Sequence, residues 1–227
     1  MVNEHLSATL LGLKGIPSLA ESLQVARDLY ILEYTGGRLH IPTISTLESV
    51  GLIKQAKKKG LKVSCSVSIN NLSLTDSVLE SFDTNYKLMP PLRTSKDIKA
   101  LKKGLTDGTI DMVTSDHNPI DIENKKIEFD HAKYGSIGLE SCFGALQKAT
   151  DLETAIQALT QQSVFNVSQS SIALGQKANI TLFDPSLQWV FKKEHIISTS
   201  KNAALLEQPL LGKAYGIINN SQVLLHE

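Results

Sequence analysis

The chain has 227 residues, with 23 Lys+Arg balancing 23 Asp+Glu, which suits one large domain, or one domain plus a small module, and points away from nucleic acid or an anionic membrane as partner. No apolar run approaches the roughly 20 residues of a membrane span, and Met1–Leu13 lacks the features of a signal peptide, so the expected setting is cytoplasmic. Cys65 and Cys142 form no CxxC and fall in separate elements, which supports neither a disulfide framework nor a cysteine-rich zinc site.

Residues 1–16 carry no strong periodicity, and Gly12, Gly15 and Pro17 punctuate a loop. A helix follows: Ser18 with Glu21 reads as a capping box, Leu19, Leu23, Ala26, Leu29 and Tyr30 fall near helical spacing, and Gly36-Gly37 supplies the stop. Arg38–Thr43 is a short strand, and Ser45 with Glu48 opens a helix over Leu47–Lys59 whose last turn, Lys57-Lys58-Lys59, suits the carboxyl end of its dipole. Leu61–Val67 is the next strand, running into Ser68-Ile69-Asn70-Asn71, with a short helix over Thr75–Phe82.

Tyr86–Met89 reads as a brief strand ended by Pro90-Pro91, since proline cannot donate to a ladder. Thr94 and Asp97 start a helix with Ile98, Leu101 and Leu105 on one face, and Thr109–Thr114 is a strand delivering Asp116 and His117. The charged loop Asn118–Ser136 is long enough to read as a functional lid. Helical patterns cover Ile137–Lys148 and Leu152–Thr160, with a further turn near Gln162–Val167. After Ser170 the pattern becomes strands, Ile172–Leu182, Gln188–Phe191 and Ala214–Leu225, separated by Gly, Asp-Pro and Asn-Asn turns.

Four strand-then-helix units predict a parallel sheet whose strand ends share one face. A doubly wound sheet and part of a (β/α)8 barrel both satisfy that pattern; a whole barrel takes roughly 250 residues, more than this chain provides. In either, catalytic groups collect at the carboxyl ends of strands, which makes MVTSDHNP, Met112–Pro119, the stretch to watch.

Taken in order, LGLKGIPSLAE, VARDL, STLESV, DTNYKLMPPLRT, LTDGTIDMVTSDHNP, YGSIGLES, IALGQKANITLFDP and SKNA resemble the carboxyl-terminal part of dihydroorotase, a zinc-dependent cyclic amidohydrolase of pyrimidine biosynthesis. The resemblance runs along nearly the whole chain. It implies a partial (β/α)8 TIM-like barrel over 1–168 and a small β-sandwich module over 169–227. It also implies a metal-bound hydroxide that opens the ring of dihydroorotate, giving carbamoyl aspartate, with an aspartate at the position of Asp116 moving the proton.

The chain departs from that pattern where metal is held. The His-x-His strand of the family has no counterpart; Thr43 and Asn70-Asn71 stand at family histidine positions, Met89 at a substrate-binding asparagine, and Ile120 at the histidine that follows Asp-His-x-Pro. Asp116 remains as the catalytic position, beside His117, and Gly135 as the residue whose backbone approaches substrate. Hydroxyl and amide side chains are poor zinc ligands.

The expected protein is therefore non-catalytic and structural, needing no cofactor, with aspartate transcarbamoylase or a second copy as partner. The alternative is an active zinc enzyme whose other ligands lie in a longer parent chain. Competing structural readings make Asp116 a turn residue accepting backbone N–H bonds, pack His117 beneath that turn, keep His40 satisfied in its strand, and place Arg93 in a structural ion pair.

Overall fold

The computed structural model describes residues 1–160 and 172–225. The amino end is a parallel pair, β1 (Val2–Asn3) with β2 (Gly15–Ile16), around the short helix α1 (Leu6–Leu10). The helix α2 (Ser18–Thr35) leads to β3 (Leu39–Ile41), α3 (Leu47–Lys58), β4 (Val63–Ser68) and α4 (Ile69–Ser73). After two segments of 3-10 helix, Asp76–Ser81 and Thr84–Tyr86, come α5 (Ser95–Thr106), β5 (Met112–Thr114), α6 (Cys142–Ala149) and α7 (Leu152–Thr160).

Strands β3, β4 and β5 form one parallel sheet in that order, with Ile41 opposite Cys65 and Ser68 opposite Thr114. This is an arc of a barrel, and the described residues do not close it. Its helix-facing side chains Val63, Cys65, Val67 and Val113 are buried with Ile53, Leu101 and Leu146 from the flanking helices. The strand alternates, VSCSV, so Val63, Cys65 and Val67 face the helices while Ser64 and Ser66 turn to the other side, where they meet His40 and the Thr43 N–H.

The carboxyl end is an antiparallel meander of β6 (Asn179–Val190), β7 (Pro209–Asn219) and β8 (Gln222–Leu225). Phe191 and Leu210 reach into the same core as Leu146 of α6, so this sheet is packed onto the arc rather than tethered to it. The turn expected at Gln162–Val167, and the boundary between 168 and 169, lie outside the described residues.

Several local expectations are corrected. Pro17 precedes α2 and no side chain caps it; Ser18 is already helical and Glu21 points elsewhere. Thr46, not Ser45, caps α3 by accepting from Ser49 N. Tyr86–Met89 is no strand: Tyr86 ends a 3-10 turn and the Lys87 N–H bonds back to Thr84 O at 3.0 Å, which uses the donor a ladder needs. Helix α6 starts only at Cys142, since a Cβ at Gly138 would lie 2.4 Å from Ser115 O and the chain must first pass that carbonyl. The strands expected at Ile172–Leu182 and Gln188–Phe191 are largely one strand, whose Asp184-Pro185 turn survives as a register shift against β7.

The box of Thr94 and Asp97 on α5 forms as expected, and Gly36 ends α2 at φ 68°, a left-handed conformation that a side chain resists.

Candidate functional site

Parallel register brings the ends of β3, β4 and β5 to one side of the arc. Thr43, two residues beyond β3, has φ 46°, an uncommon setting for a β-branched residue, and its N–H donates to Ser66 Oγ at 3.1 Å. Ser68 closes β4 and caps α4 by accepting from Asn70 N. Asn70 is 1% exposed and its Oδ1 has no hydrogen-bond partner, while Asn71 Nδ2 donates to Pro91 O at 2.9 Å.

Asp116 stands two residues beyond β5 with φ 47°, held by donation from its N–H to Thr114 Oγ1 at 3.1 Å. Its carboxyl group hydrogen-bonds with Ser68 across the sheet, and burial pushes its pKa up against that bond. The turn is thus capped by threonine, and the aspartate does not fill the capping role that a turn reading gives it. Beside it His117 Nδ1 accepts from Gly138 N at 3.2 Å and Leu139 N at 3.3 Å. An acceptor at Nδ1 fixes the tautomer with hydrogen on Nε2.

The loop after this turn is fastened from below. Lys87 is 3% exposed and its Nζ donates to Phe129 O at 2.7 Å and Asp130 O at 2.8 Å, with the Tyr134 ring centroid 5.2 Å away. Lys125, 5% exposed, reaches the other way to Thr84 O at 2.8 Å, and burial lowers its pKa to about 8. From above, Asn202 accepts from Ile120 N at 3.1 Å and donates to Asn118 O at 3.1 Å and Gly135 O at 3.2 Å.

Gly135 also has a structural duty. Its N–H bonds to Lys87 O and its carbonyl to Asn202, so both backbone groups serve the fold. Glycine is required there because φ is 136° and a Cβ would lie 2.8 Å from Asn118 Nδ2.

Arg93 is 2% exposed and donates to Asn3 Oδ1 and Ile16 O, each at 2.8 Å, and to Ser45 Oγ at 3.1 Å. Burial lowers its pKa, and Glu21 leads the charges opposing that shift. It is a buried strut between the amino-terminal pair and α3. His40 Nδ1 meets Ser64 Oγ at 2.9 Å, with burial lowering its pKa against Asp111.

The donor set does not suit a catalytic zinc ion. Among the described residues no three of His, Cys, Asp and Glu come together as a metal site. At the strand ends stand a hydroxyl, an amide and one carboxyl whose burial favours its neutral form, whereas zinc needs three good ligands and an open position. A cleft of about 860 Å³ opens instead on the outer side of the loop, between Asp83, Ile122, Lys125, Lys201 and Asn202.

Sequence reasoning missed Lys87, Lys125 and Asn202. The first shows as a charge between Tyr86 and Leu88, and the last lies within SKNA; Lys125 had no signal in its charged surroundings.

No family model matches the chain. Curated relatives do: the chain is 38% identical over 231 residues to a dihydroorotase of Geotalea daltonii, covering 98% of itself and 54% of that protein. A dihydroorotase of Endomicrobium trichonymphae is 39% identical over 223 residues, with 94% and 53% covered. The chain belongs to the dihydroorotase family. It spans about half the length of the curated dihydroorotases it matches, and corresponds to their carboxyl-terminal part.

Solved structures agree on the fold. A D-hydantoinase superposes with TM-score 0.82 at 20% identity, covering 92% of this chain and 49% of its own. A dihydropyrimidinase from Brevibacillus agri NCHU1002 gives 0.81 at 22%, with the same coverage. The inactive dihydroorotase-like domain of the Chaetomium thermophilum CAD-like multifunctional protein gives 0.64 at 17%, covering 88% of this chain and 54% of its own. The arc of three parallel strands is thus part of a barrel fold shared with these amidohydrolases.

Proposed function

We propose that this dihydroorotase-family chain serves pyrimidine biosynthesis in a non-catalytic, structural capacity, with a degenerate metal site, in the cytoplasm. The observation that carries the reading is the set of groups at the carboxyl ends of β3, β4 and β5: Thr43, Asn70 and Asp116, one ionisable group among three. With no imidazole among those three groups, and with His117 Nδ1 taken up by Gly138 N and Leu139 N, the described strand ends do not supply the ligands with which zinc would lower the pKa of a bound water.

The turn and its loop nonetheless keep their organisation, with left-handed residues at 43 and 116 and the Lys87–Lys125–Asn202 fastening intact. A protein that keeps the architecture without the ligands is suited to serving as a partner. One fold relative is described as an inactive dihydroorotase-like domain within a multifunctional protein, which supports such a role. Aspartate transcarbamoylase is the proposed partner.

The decisive test measures zinc content and dihydroorotate ring opening on the full-length protein. Less than one zinc per ten chains and no turnover is the expected result. Stoichiometric zinc with turnover overturns the proposal in favour of an active zinc dihydroorotase whose remaining ligands lie in a longer parent chain. Co-elution with aspartate transcarbamoylase is expected, and separate elution at micromolar concentration removes that partner.

A further inference from the structure

Helix α5 carries four lysines, Lys96, Lys99, Lys102 and Lys103, and one acid, Asp97. At about 100° per residue, the lysines fan over roughly 120° of the helix, opposite the buried Leu101 and Leu105. Asp97 is already engaged: its carboxylate accepts from Thr94 N, Thr94 Oγ1 and Leu47 N. None of the four lysines forms an ion pair among the described residues.

The neighbouring helix differs. On α3, Lys54 pairs with Asp107, Lys57 with Asp111 and Lys59 with Glu33. Like charges three and four residues apart, as at 96 and 99, 99 and 102, and 99 and 103, destabilise the helix that bears them. An acidic neighbour outside the chain relieves that repulsion.

Beside this row lies a groove, where α4, α5, α6 and the start of β7 meet. Leu72, Leu74, Leu205 and Leu210 form its buried floor, Lys102 stands on its α5 side and Lys148 on its α6 side, and no acid lines it. The Lys148 Nζ donates to Pro209 O at 3.0 Å, which holds the amine at the rim with two further donors to offer.

We propose that the groove and the α5 lysines dock an acidic segment of a partner protein, one apolar side chain entering the groove and Asp or Glu flanking it on the lysines. The groove measures about 130 Å³, close to the ~150 Å³ that holds a benzene ring, so a single leucine- or phenylalanine-sized group fills it. A buried anchor inside a polar rim is the usual economy of a protein contact. Nucleic acid fits less well: no aromatic side chain lines the groove for a base to stack on, and the formal charge of the chain is zero. An anionic membrane fits less well too, because the apolar floor is recessed below the lysines and offers nothing to insert among acyl chains. The inference goes beyond the partner role proposed above by naming the face and the chemistry it takes, and its test does not depend on aspartate transcarbamoylase.

That test is fluorescence anisotropy of the full chain with a labelled acidic peptide carrying one central leucine. Binding is expected, weakening at least tenfold as salt rises from ~0.05 M to ~0.5 M and at least tenfold when serine replaces the leucine. Lys99→Gln with Lys102→Gln and Lys103→Gln is expected to weaken it at least tenfold, with a melting temperature no lower than wild type because like-charge repulsion is removed. Lys14→Gln with Lys126→Gln and Lys133→Gln removes the same charge from exposed positions elsewhere and is expected to leave affinity within about twofold. Ser73→Phe, placed at the exposed end of α4, is expected to fill the groove and exclude the peptide. No binding, equal loss in the two triple variants, equal affinity for the serine peptide, undiminished binding by Ser73→Phe, or tighter binding of a single-stranded oligonucleotide or of anionic lipid vesicles each overturns the proposal.

Discussion

Replacing Glu21 with alanine should damage α3 more than α2, the helix that carries it. The Glu21 carboxylate accepts from Ser45 N at 2.8 Å and from Thr46 N and Thr46 Oγ1, each at 3.1 Å, and it also takes the Ser45 hydroxyl. Ser45 and Thr46 are both 0% exposed, so in the wild-type fold these groups depend on the carboxylate rather than on solvent. Two buried N–H groups left without acceptors cost about 1–3 kcal/mol each. Arg93 simultaneously loses the foremost charge opposing its desolvation. Together the loss should be about 3–5 kcal/mol, a large share of the roughly 5–15 kcal/mol that holds a domain folded. Glu21→Gln keeps one acceptor oxygen without the charge and should cost about half as much. The assay is equilibrium urea unfolding, read as a fall in midpoint at constant slope. A loss below ~1 kcal/mol for Glu21→Ala would refute the reasoning, because it would mean the carboxylate adds nothing that solvent cannot supply.

Three further outcomes are expected. Lys125 titrates at about 8 in the fold and near the ordinary lysine value when unfolded, so the unfolded chain binds more protons between those values and stability rises with pH there. Cys65 and Cys142, pushed up to about 12, act in the opposite sense as their unfolded thiols ionise from ~pH 8 upward, so the Lys125 contribution is read as the difference between wild type and Lys125→Met. In urea unfolding that difference should grow by about 1 kcal/mol between ~pH 8 and ~pH 9, and equal slopes in both proteins would sink the idea. Burial raises the Asp116 pKa, so its contribution is present at low pH and lost as pH rises through the folded value; Asp116→Asn should raise the melting temperature at neutral pH, and a fall would show that the carboxylate is wanted ionised. Asn202→Ala removes bonds to Ile120, Asn118 and Gly135, and should speed hydrogen exchange across residues 118–136 by at least tenfold with α5 unchanged; uniform acceleration of both would place the defect in the core instead.

What the sequence could announce was whatever a residue does with neighbours a few positions away. The Thr94 and Asp97 box, the Gly36 stop and the β-α alternation ending at Asp116 are of this kind, and the order of strand ends follows from parallel connection alone. The family was legible too, because its motifs are contiguous. At the site this gave the positions of Thr43, Asn70 and Asp116, but neither the hydrogen bond of Asp116 with Ser68 nor the unpartnered Asn70 oxygen, which depend on packing between strands.

The local pattern also misled. Ser18-x-x-Glu21 is a sound capping signature, yet the carboxylate leaves it for α3 24 and 25 residues away, where more buried donors wait. Gly135, read from the sequence as an approach to substrate, is also a packing requirement beside Asn118, which the sequence did not show.

The sequence by itself determined the elements, their order and the family, because those rest on periodicity and short-range hydrogen bonds. Only the tertiary structure decided which charges are buried and by whom they are held: Arg93 with Asn3 at 90 residues' separation, Lys87 with Phe129 at 42, Asn202 with Asn118 at 84. The physical reason is that a buried polar group takes whatever partner the fold brings within about 3 Å, and that partner is chosen by the path of the backbone, on which a residue's own neighbours in sequence have little say.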